Sequence, residues 1–273
     1  MKQPRHIVLT GASGGLGQAL VSRLAETAHA MLLFGRDKKR LGQAGALAKA
    51  NGARVSLSMT SVEDHENFSH AIAEFDRQTP IDLFMANAGV KCGNTDGIEK
   101  ASQLERIIGV NLTGTMLSVQ SVLPMMLKRR QGQIALISSL AARSPQGALL
   151  SYSATKAGID GYATALRRKC VGSGVSICLV RPGFVDTPMT DRQLGPAPFK
   201  ISAASAAIRI CHGLERKKPN IAFPRRLALL AELERLLPTR IADQFANRFD
   251  ANILPDEDEI AALRDRLDNR WVE

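Results

Sequence analysis

An α/β fold with a doubly wound parallel sheet is expected for this chain. Short β-rich runs alternate with segments of helical length, and a glycine-rich turn joins the first run to the first such segment. With 273 residues and 45% hydrophobic content, the chain can bury one large core but is short for two domains. Aromatic residues make up only 4%, so aliphatic side chains must fill that core.

The runs at 6–9, 31–34, 54–57, 83–86, 133–137 and 175–180 read as strands, and 221–223 as a short last one. Between them, 15–28, 37–50, 63–77, 102–129 and 151–171 have helical length. Such alternation builds βαβ units, and right-handed crossovers place helices on both faces of a Rossmann-type sheet. The Pro- and Gly-containing stretch 182–200 reads as a long irregular connection of the kind that forms lids or binding segments. Past it, Leu227, Leu230, Leu233, Leu237, Ile241, Phe245 and Phe249 recur at three and four residues. They predict two short amphipathic helices separated at Pro238. The chain thus divides into a Rossmann-type sheet region at 1–222 and a helical C-terminal extension of the same domain at 223–273.

The net charge of +10 raises the question of a nucleic-acid partner. The clusters Lys128-Arg129-Arg130, Arg167-Arg168-Lys169 and Arg216-Lys217-Lys218 each fall where a helix should end, and cations there complement the helix dipole. No basic stripe is interleaved with aromatics, so no nucleic-acid partner is expected. No apolar run reaches the roughly 20 residues that span a bilayer, and the N-terminus lacks signal-peptide features. Cys92, Cys170, Cys178 and Cys211 show no metal or disulfide spacing. They read as buried thiols in a reducing, cytoplasmic setting. Arg225, Arg226, Arg235, Arg240 and Arg248 flank the C-terminal apolar stripes. The stripes therefore have two readings: a cover for the substrate cleft or a subunit interface, and a basic amphipathic surface for peripheral membrane contact.

Thr10–Gly17 (TGASGGLG) follows the first strand and opens the first helix. Gly11 permits the tight turn, while Gly15 and Gly17 let backbone approach a pyrophosphate held at the helix N-terminus. No Walker lysine follows, which excludes a nucleotide-triphosphatase. At the end of the second strand an acid would bind the ribose hydroxyls of NAD, whereas a base would accept the extra phosphate of NADP. Gly35 holds that place, Arg36 follows it, and Lys38 and Lys39 lie close. NADP(H) is favoured; Asp37, two residues on, keeps NAD(H) as the alternative. Tyr152 and Lys156 stand four residues apart, one turn along a predicted helix. A nearby ammonium favours the phenolate, which would let tyrosine trade a proton with a carbonyl or alcohol oxygen near neutrality.

Together these residues resemble the short-chain dehydrogenase/reductase family over roughly 5–190. Thr10–Gly17 matches its T-G-x-x-x-G-x-G, bringing Ser13 and Leu16 into the cofactor set. Asn87-Ala88-Gly89 matches N-A-G after the fourth strand, and Asn111 lies in V-N-L of the long helix. Ser139 precedes Tyr152 by thirteen residues, Tyr152 and Lys156 match Y-x-x-x-K, and Pro182, Gly183, Val185 and Thr187 match P-G-x-V-x-T. The resemblance implies that Tyr152 is the acid/base and that Lys156 tunes it and holds the nicotinamide ribose. It implies that Ser139 polarises the substrate carbonyl, that Asn111 anchors a water linked to Lys156, and that 182–187 hold the carboxamide. One motif departs: the family's Asp-Val after the third strand is replaced, at Ser58-Met59 or a neighbouring pair, with Thr60 or Ser61 as a candidate helix cap. A dimer or tetramer through 102–129 and 151–171 is also implied.

For the substrate, 90–98, 140–150 and 184–200 offer Val90, Leu140, Ala141, Leu149, Leu150, Phe184, Met189, Leu194 and Phe199. Such a lining expects a lipophilic carbonyl or alcohol. Two alternatives accompany it. One is a 3-oxoacyl-carrier-protein-type reductase, docking its acidic carrier at Arg129 and 167–169. The other is a non-catalytic NADP-binding sensor.

Overall fold

In the computed structural model, which describes residues 5–93, 98–246 and 252–255, strands and helices alternate as the apolar runs predict. Strand β1 (His6–Leu9) leads to α1 (Gly15–Ala25), β2 (Ala30–Phe34) to α2 (Lys38–Ala50), and β3 (Arg54–Ser58) to α3 (His65–Gln78). After β4 (Leu83–Ala86), helix α4 (Ala101–Ile107) passes through a π-helical turn (Ile108–Gly114) into α5 (Thr115–Arg129). Then come β5 (Gly132–Ile137), α6 (Leu150–Lys169) and β6 (Val175–Pro182). The stretch expected to be irregular carries short elements: β7 (Val185–Asp186), α7 (Pro188–Asp191), β8 (Gln193–Leu194) and β9 (Ile201–Ser202). It is followed by α8 (Ala203–Glu215), β10 (Asn220–Phe223), α9 (Arg225–Glu234), α10 (Thr239–Ala246) and β11 (Asn252–Ile253).

Seven strands pair in parallel in the order β10-β6-β5-β4-β1-β2-β3. The order reverses between β1 and β4, so the first turn opens onto the crevice where such sheets bind ligands. Central strands are buried along their whole length, β2 and β4 completely, as continuous apolar runs require when helices cover both faces. Strand β3 is the edge, and its exposed Arg54 and Ser56 protect it from further pairing. One face packs Leu20, Leu24, Leu41, Ile210 and Leu214 from α1, α2 and α8. The other packs Phe68, Ile72, Val119, Val122, Met126 and Ile159 from α3, α5 and α6, with Phe34 and Phe68 rings 4.4 Å apart.

Local chemistry sets the helix starts. The Asp37 and Asp64 carboxylates accept from the Arg40 and Asn67 amides and cap α2 and α3. Asp64, and not Thr60 or Ser61, is therefore the cap of α3. Helix α8 was not expected. Ser202 caps it through the Ser205 amide, and its apolar face packs on α1. The span Ala101–Arg129 does prove long and apolar enough to cross a membrane, contrary to the expectation that no run is. Here it is a core element, with Val119, Val122 and Met126 fully buried. All four cysteines are buried free thiols, and burial pushes Cys178 and Cys211 up to about 12, which makes both inert. Of the C-terminal stripe, Phe249 and Arg248 lie outside the described residues.

Candidate active site

The carboxyl ends of the strands open into a cleft of about 680 Å³. Gly11, Ser13, Gly15, Leu16, Gly17, Arg36, Asn87, Ala88 and Gly89 line it from one half of the sheet, and Ser139, Tyr152, Lys156, Pro182, Gly183, Val185 and Thr187 from the other. The turn is built for close approach. Gly11 sits at φ +66°, where a side chain is strained, and a Cβ on Gly17 would run into the Gly11 carbonyl. A Cβ on Gly15 would meet Thr187 Cβ at 2.8 Å, so the turn and the segment after β6 are in direct contact. Thr10 lies beneath the cleft. Its hydroxyl accepts from the Asn87 and Ala88 amides at 3.0 and 2.9 Å, and Asn87 Nδ2 donates to the Thr10 and Gly11 carbonyls at 3.0 and 3.2 Å. The two motifs are thereby locked together, and a glycine cradle at a helix N-terminus fits a dinucleotide.

At the far end, a Cβ on Gly35 would stand 2.7 Å from Ser13 Oγ, so no acidic side chain fits there without displacement. Asp37 faces the α2 amides as a cap. Arg36 lines the cleft, and so does Arg40, which the sequence reading passed over; Lys38 and Lys39 do not. Arg40 is the third basic residue in the first turn of α2, after Lys38 and Lys39, so charge alone does not single it out. After β3 it is Thr60, Ser61 and Val62, and not Ser58 or Met59, that line the cleft.

Ser139 and Tyr152 also line a second, smaller compartment of about 120 Å³. Ser139 Oγ accepts from the Ala141 amide at 3.1 Å, which leaves its O–H free to donate. The neighbouring Ser138 is committed elsewhere: its hydroxyl bonds the Lys156 carbonyl at 3.1 Å and Asp160 Oδ1 at 2.7 Å. Lys156 is buried; Nζ donates to the Ile137 carbonyl at 2.9 Å and stands 5.6 Å from the Tyr152 ring centroid. Burial pulls its ammonium down to about 8, against the opposing pull of Asp160. Asp160 in turn is held by Arg181 Nε at 2.7 Å and Arg143 Nε at 3.2 Å. Burial pushes the Tyr152 phenol up, and the neighbouring Ser139 hydroxyl pulls it back. The depression expected from the Tyr–Lys spacing is thus outweighed here by desolvation, which the spacing does not encode.

Asn111 does not line the cleft. It is fully buried in the π-turn, where Oδ1 accepts from the Val90 amide at 2.7 Å and Nδ2 donates to the Val90 carbonyl at 2.9 Å and to Thr155 Oγ1 at 3.4 Å. The side chain thus clamps the N-A-G loop to α6. The extra residue of the π-turn aims the amide there.

In the smaller compartment, Leu140, Ala141, Leu149, Phe184 and Met189 stand as expected. Leu150, Leu194 and Phe199 are solvent-exposed, and Val90 faces the cofactor cleft. Leu227 and Leu230 of the C-terminal stripe roof the compartment from α9, as the cleft-cover reading expects, whereas Ala231, Glu234 and the polar wall of Lys91 and Gln193 were missed. Strand β11 pairs antiparallel with β8, and Pro255 reaches the cofactor cleft.

Residues 5–195 match the short chain dehydrogenase family, and the chain belongs to it. It is thus of a class of nicotinamide-dependent oxidoreductases built on this sheet. An uncharacterized oxidoreductase of Myxococcus xanthus is 32% identical over 89% of this chain and 97% of its own length. The 3-dehydrosphinganine reductase TSC10B of Arabidopsis thaliana is 31% identical over 74% of this chain and 62% of its own. The ketoacyl reductase HetN of Nostoc is 30% identical over 75% and 74%. Among solved structures, a Sphingobium yanoikuyae short-chain dehydrogenase in complex with NADPH superposes with TM-score 0.75 at 24% identity, over 88% of this chain and 95% of that one. Carveol dehydrogenase from Mycobacterium avium in complex with NAD gives 0.72 at 20% identity, over 80% and 95%. At these identities the two structures attest the fold.

Proposed function

We propose that this chain is an NADP(H)-dependent carbonyl reductase or alcohol dehydrogenase acting on a lipophilic ketone or secondary alcohol. The observation that carries this reading is the position of Ser139 and Tyr152, which line both the dinucleotide cleft and the mostly apolar compartment beside it. The bound nicotinamide supplies or accepts the hydride. Tyr152 gives its proton to the carbonyl oxygen, or removes it from the alcohol. The Ser139 hydroxyl donates to the same oxygen and holds it, as oxyanion stabilisers do. Lys156 keeps positive charge beside the phenol as it loses its proton. Arg36 and Arg40 take the ribose phosphate of NADP, while the placement of Asp37 as a cap argues against NAD(H), the alternative. A substrate panel followed by NADPH and NADH absorbance tests the reading. Faster oxidation of NADH at equal concentration would overturn the cofactor choice.

A 3-oxoacyl reductase is the second reading, in keeping with the ketoacyl and 3-dehydrosphinganine reductases among the relatives. Its carrier would not dock on Arg129, whose guanidinium is held by Asp76 at 2.5 and 2.9 Å. Retention of both Tyr152 and Lys156 speaks against a sensor. We further propose a cytoplasmic homodimer or homotetramer, for which a monomeric mass by light scattering would be the contrary result. Leu227 and Leu230 serve the compartment, which favours a lid role for α9. Leu229 and Leu236, exposed beside Arg226 and Arg235, support peripheral membrane contact as an additional role. Salt-sensitive sedimentation with anionic liposomes tests it.

A further inference from the structure

Lys91 follows the N-A-G-V turn and is only 5% exposed. It lines the compartment that holds Ser139 and Tyr152, where an apolar wall would be the ordinary choice. Its Nζ makes one hydrogen bond, to Gln193 Oε1 at 3.1 Å, although an ammonium carries three donors. Among the described residues no carboxylate lies within 4.0 Å of it. Glu234, on the same compartment, accepts from Ser144 Oγ at 2.5 Å. Beside Lys91 Nζ, Gln193 Nε2 is buried with no partner at all. Arg192, which donates to the Lys91 carbonyl, adds a second positive charge. Burial and then Arg192 pull the Lys91 ammonium down to about 8, so it stays mostly charged at pH 7. A buried charge without a counter-ion is costly, and a hydrophobe of the same size would be as stable or more so. The unmet donors therefore belong to something that enters the compartment.

We propose that Lys91 and Gln193 form a receptor for a carboxylate on the substrate, which makes the substrate an amphipathic oxo or hydroxy acid. Its apolar body lies under Leu227 and Leu230 of α9, with its reacting carbon beside Ser139 and Tyr152. This rests on the oxidoreductase reading and narrows it: a lipophilic compartment with one anion-binding wall selects against neutral ketones of the same length.

The test is calorimetry on the NADP-loaded protein. Straight-chain carboxylates from butanoate to decanoate are each compared with the methyl ketone of the same chain length. At the best length the carboxylate binds about ten-fold or more tighter, as a charge-assisted contact requires. In Lys91→Met that carboxylate-to-ketone ratio falls by about the same factor, with an unchanged or raised melting temperature, because an unpaired buried charge has been removed. Equal or weaker carboxylate binding at every length in the wild type overturns the proposal, with no variant needed. A Lys91→Met ratio equal to that of wild type overturns it too. Turnover of oxo acids and their methyl esters forms a separate arm. If neither is reduced while carboxylates bind through Lys91, the oxidoreductase reading fails and the receptor stands.

Discussion

Replacing Asp160 by Asn probes how the active-site lysine is kept charged. Asp160 Oδ2 accepts from Arg181 Nε at 2.7 Å and pairs with the Arg143 charge, whose Nε lies 3.2 Å away, and Oδ1 accepts from Ser138 Oγ at 2.7 Å. Asparagine keeps an acceptor for Ser138 but strips the counter-charge from Arg181, which is 8% exposed. Breaking a buried pair from one side costs roughly 3–5 kcal/mol. Arg143 also reaches Glu232 at 3.3 Å and is partly exposed, so its loss adds little, and the low end, about 3 kcal/mol, applies. For a domain of this size that lowers Tm by about 6–12 °C. The second effect is on pH. Lys156 is charged below about 8, and Asp160 is the group that holds it up against burial. Without Asp160 it loses its proton at lower pH, so the alkaline fall of kcat/KM for carbonyl reduction moves to lower pH. Differential scanning calorimetry and a pH–rate profile read the two effects. Asp76→Asn is the control: it breaks the buried pair with Arg129, beside Ile81 ahead of β4, and should lower Tm while leaving the pH profile in place. An Asp160→Asn protein with an unmoved alkaline limb, or one that melts with wild type, would refute the argument.

Three further outcomes follow from the same geometry. Tyr152→Phe should lower turnover by about 10²–10⁴-fold and keep NADPH affinity, measured by fluorescence titration; near-normal turnover contradicts the role of the phenol. Arg36→Asp should weaken NADPH by about ten-fold or more and spare NADH, checked by KM for each cofactor. Gly17→Ala should abolish cofactor binding, since its Cβ meets the Gly11 carbonyl, whereas Gly161→Ala in α6 meets nothing within 4 Å and should stabilise by about 0.5–1 kcal/mol in urea unfolding.

The strands were legible because each central one is a continuous apolar run bounded by polar residues, and burial on both faces demands that pattern. The cofactor turn was legible because its glycines answer to backbone approach, which admits few substitutes. Helix α8 was missed although Ser202 and the apolar spacing of Ala206, Ile210 and Leu214 announce it; the irregular stretch was bounded at 200, and no element was assigned between it and 221. The π-turn leaves no periodicity of its own, so nothing in the sequence shows that Asn111 bonds Val90 and Thr155. Lys91 escaped for a different reason. The segment after Val90 was read for apolar lining, and nothing local says that its ammonium is buried against Gln193, a hundred residues away. Such pairings arise from topology, which a linear pattern does not carry.

The pairing of β8 with β11 sets an order on biosynthesis. Gln193 finds its partner only when Ile253 has been made, and the Gly93 turn packs against that same residue. At about 5–20 residues per second the segment over the cleft waits roughly 3–12 seconds on the ribosome without its neighbour strand. The glycine turn and N-A-G loop, bonded to each other through Thr10, are complete long before. In a nascent chain every residue of the phosphate cradle is therefore made well before the strand that pairs with β8 beside the compartment.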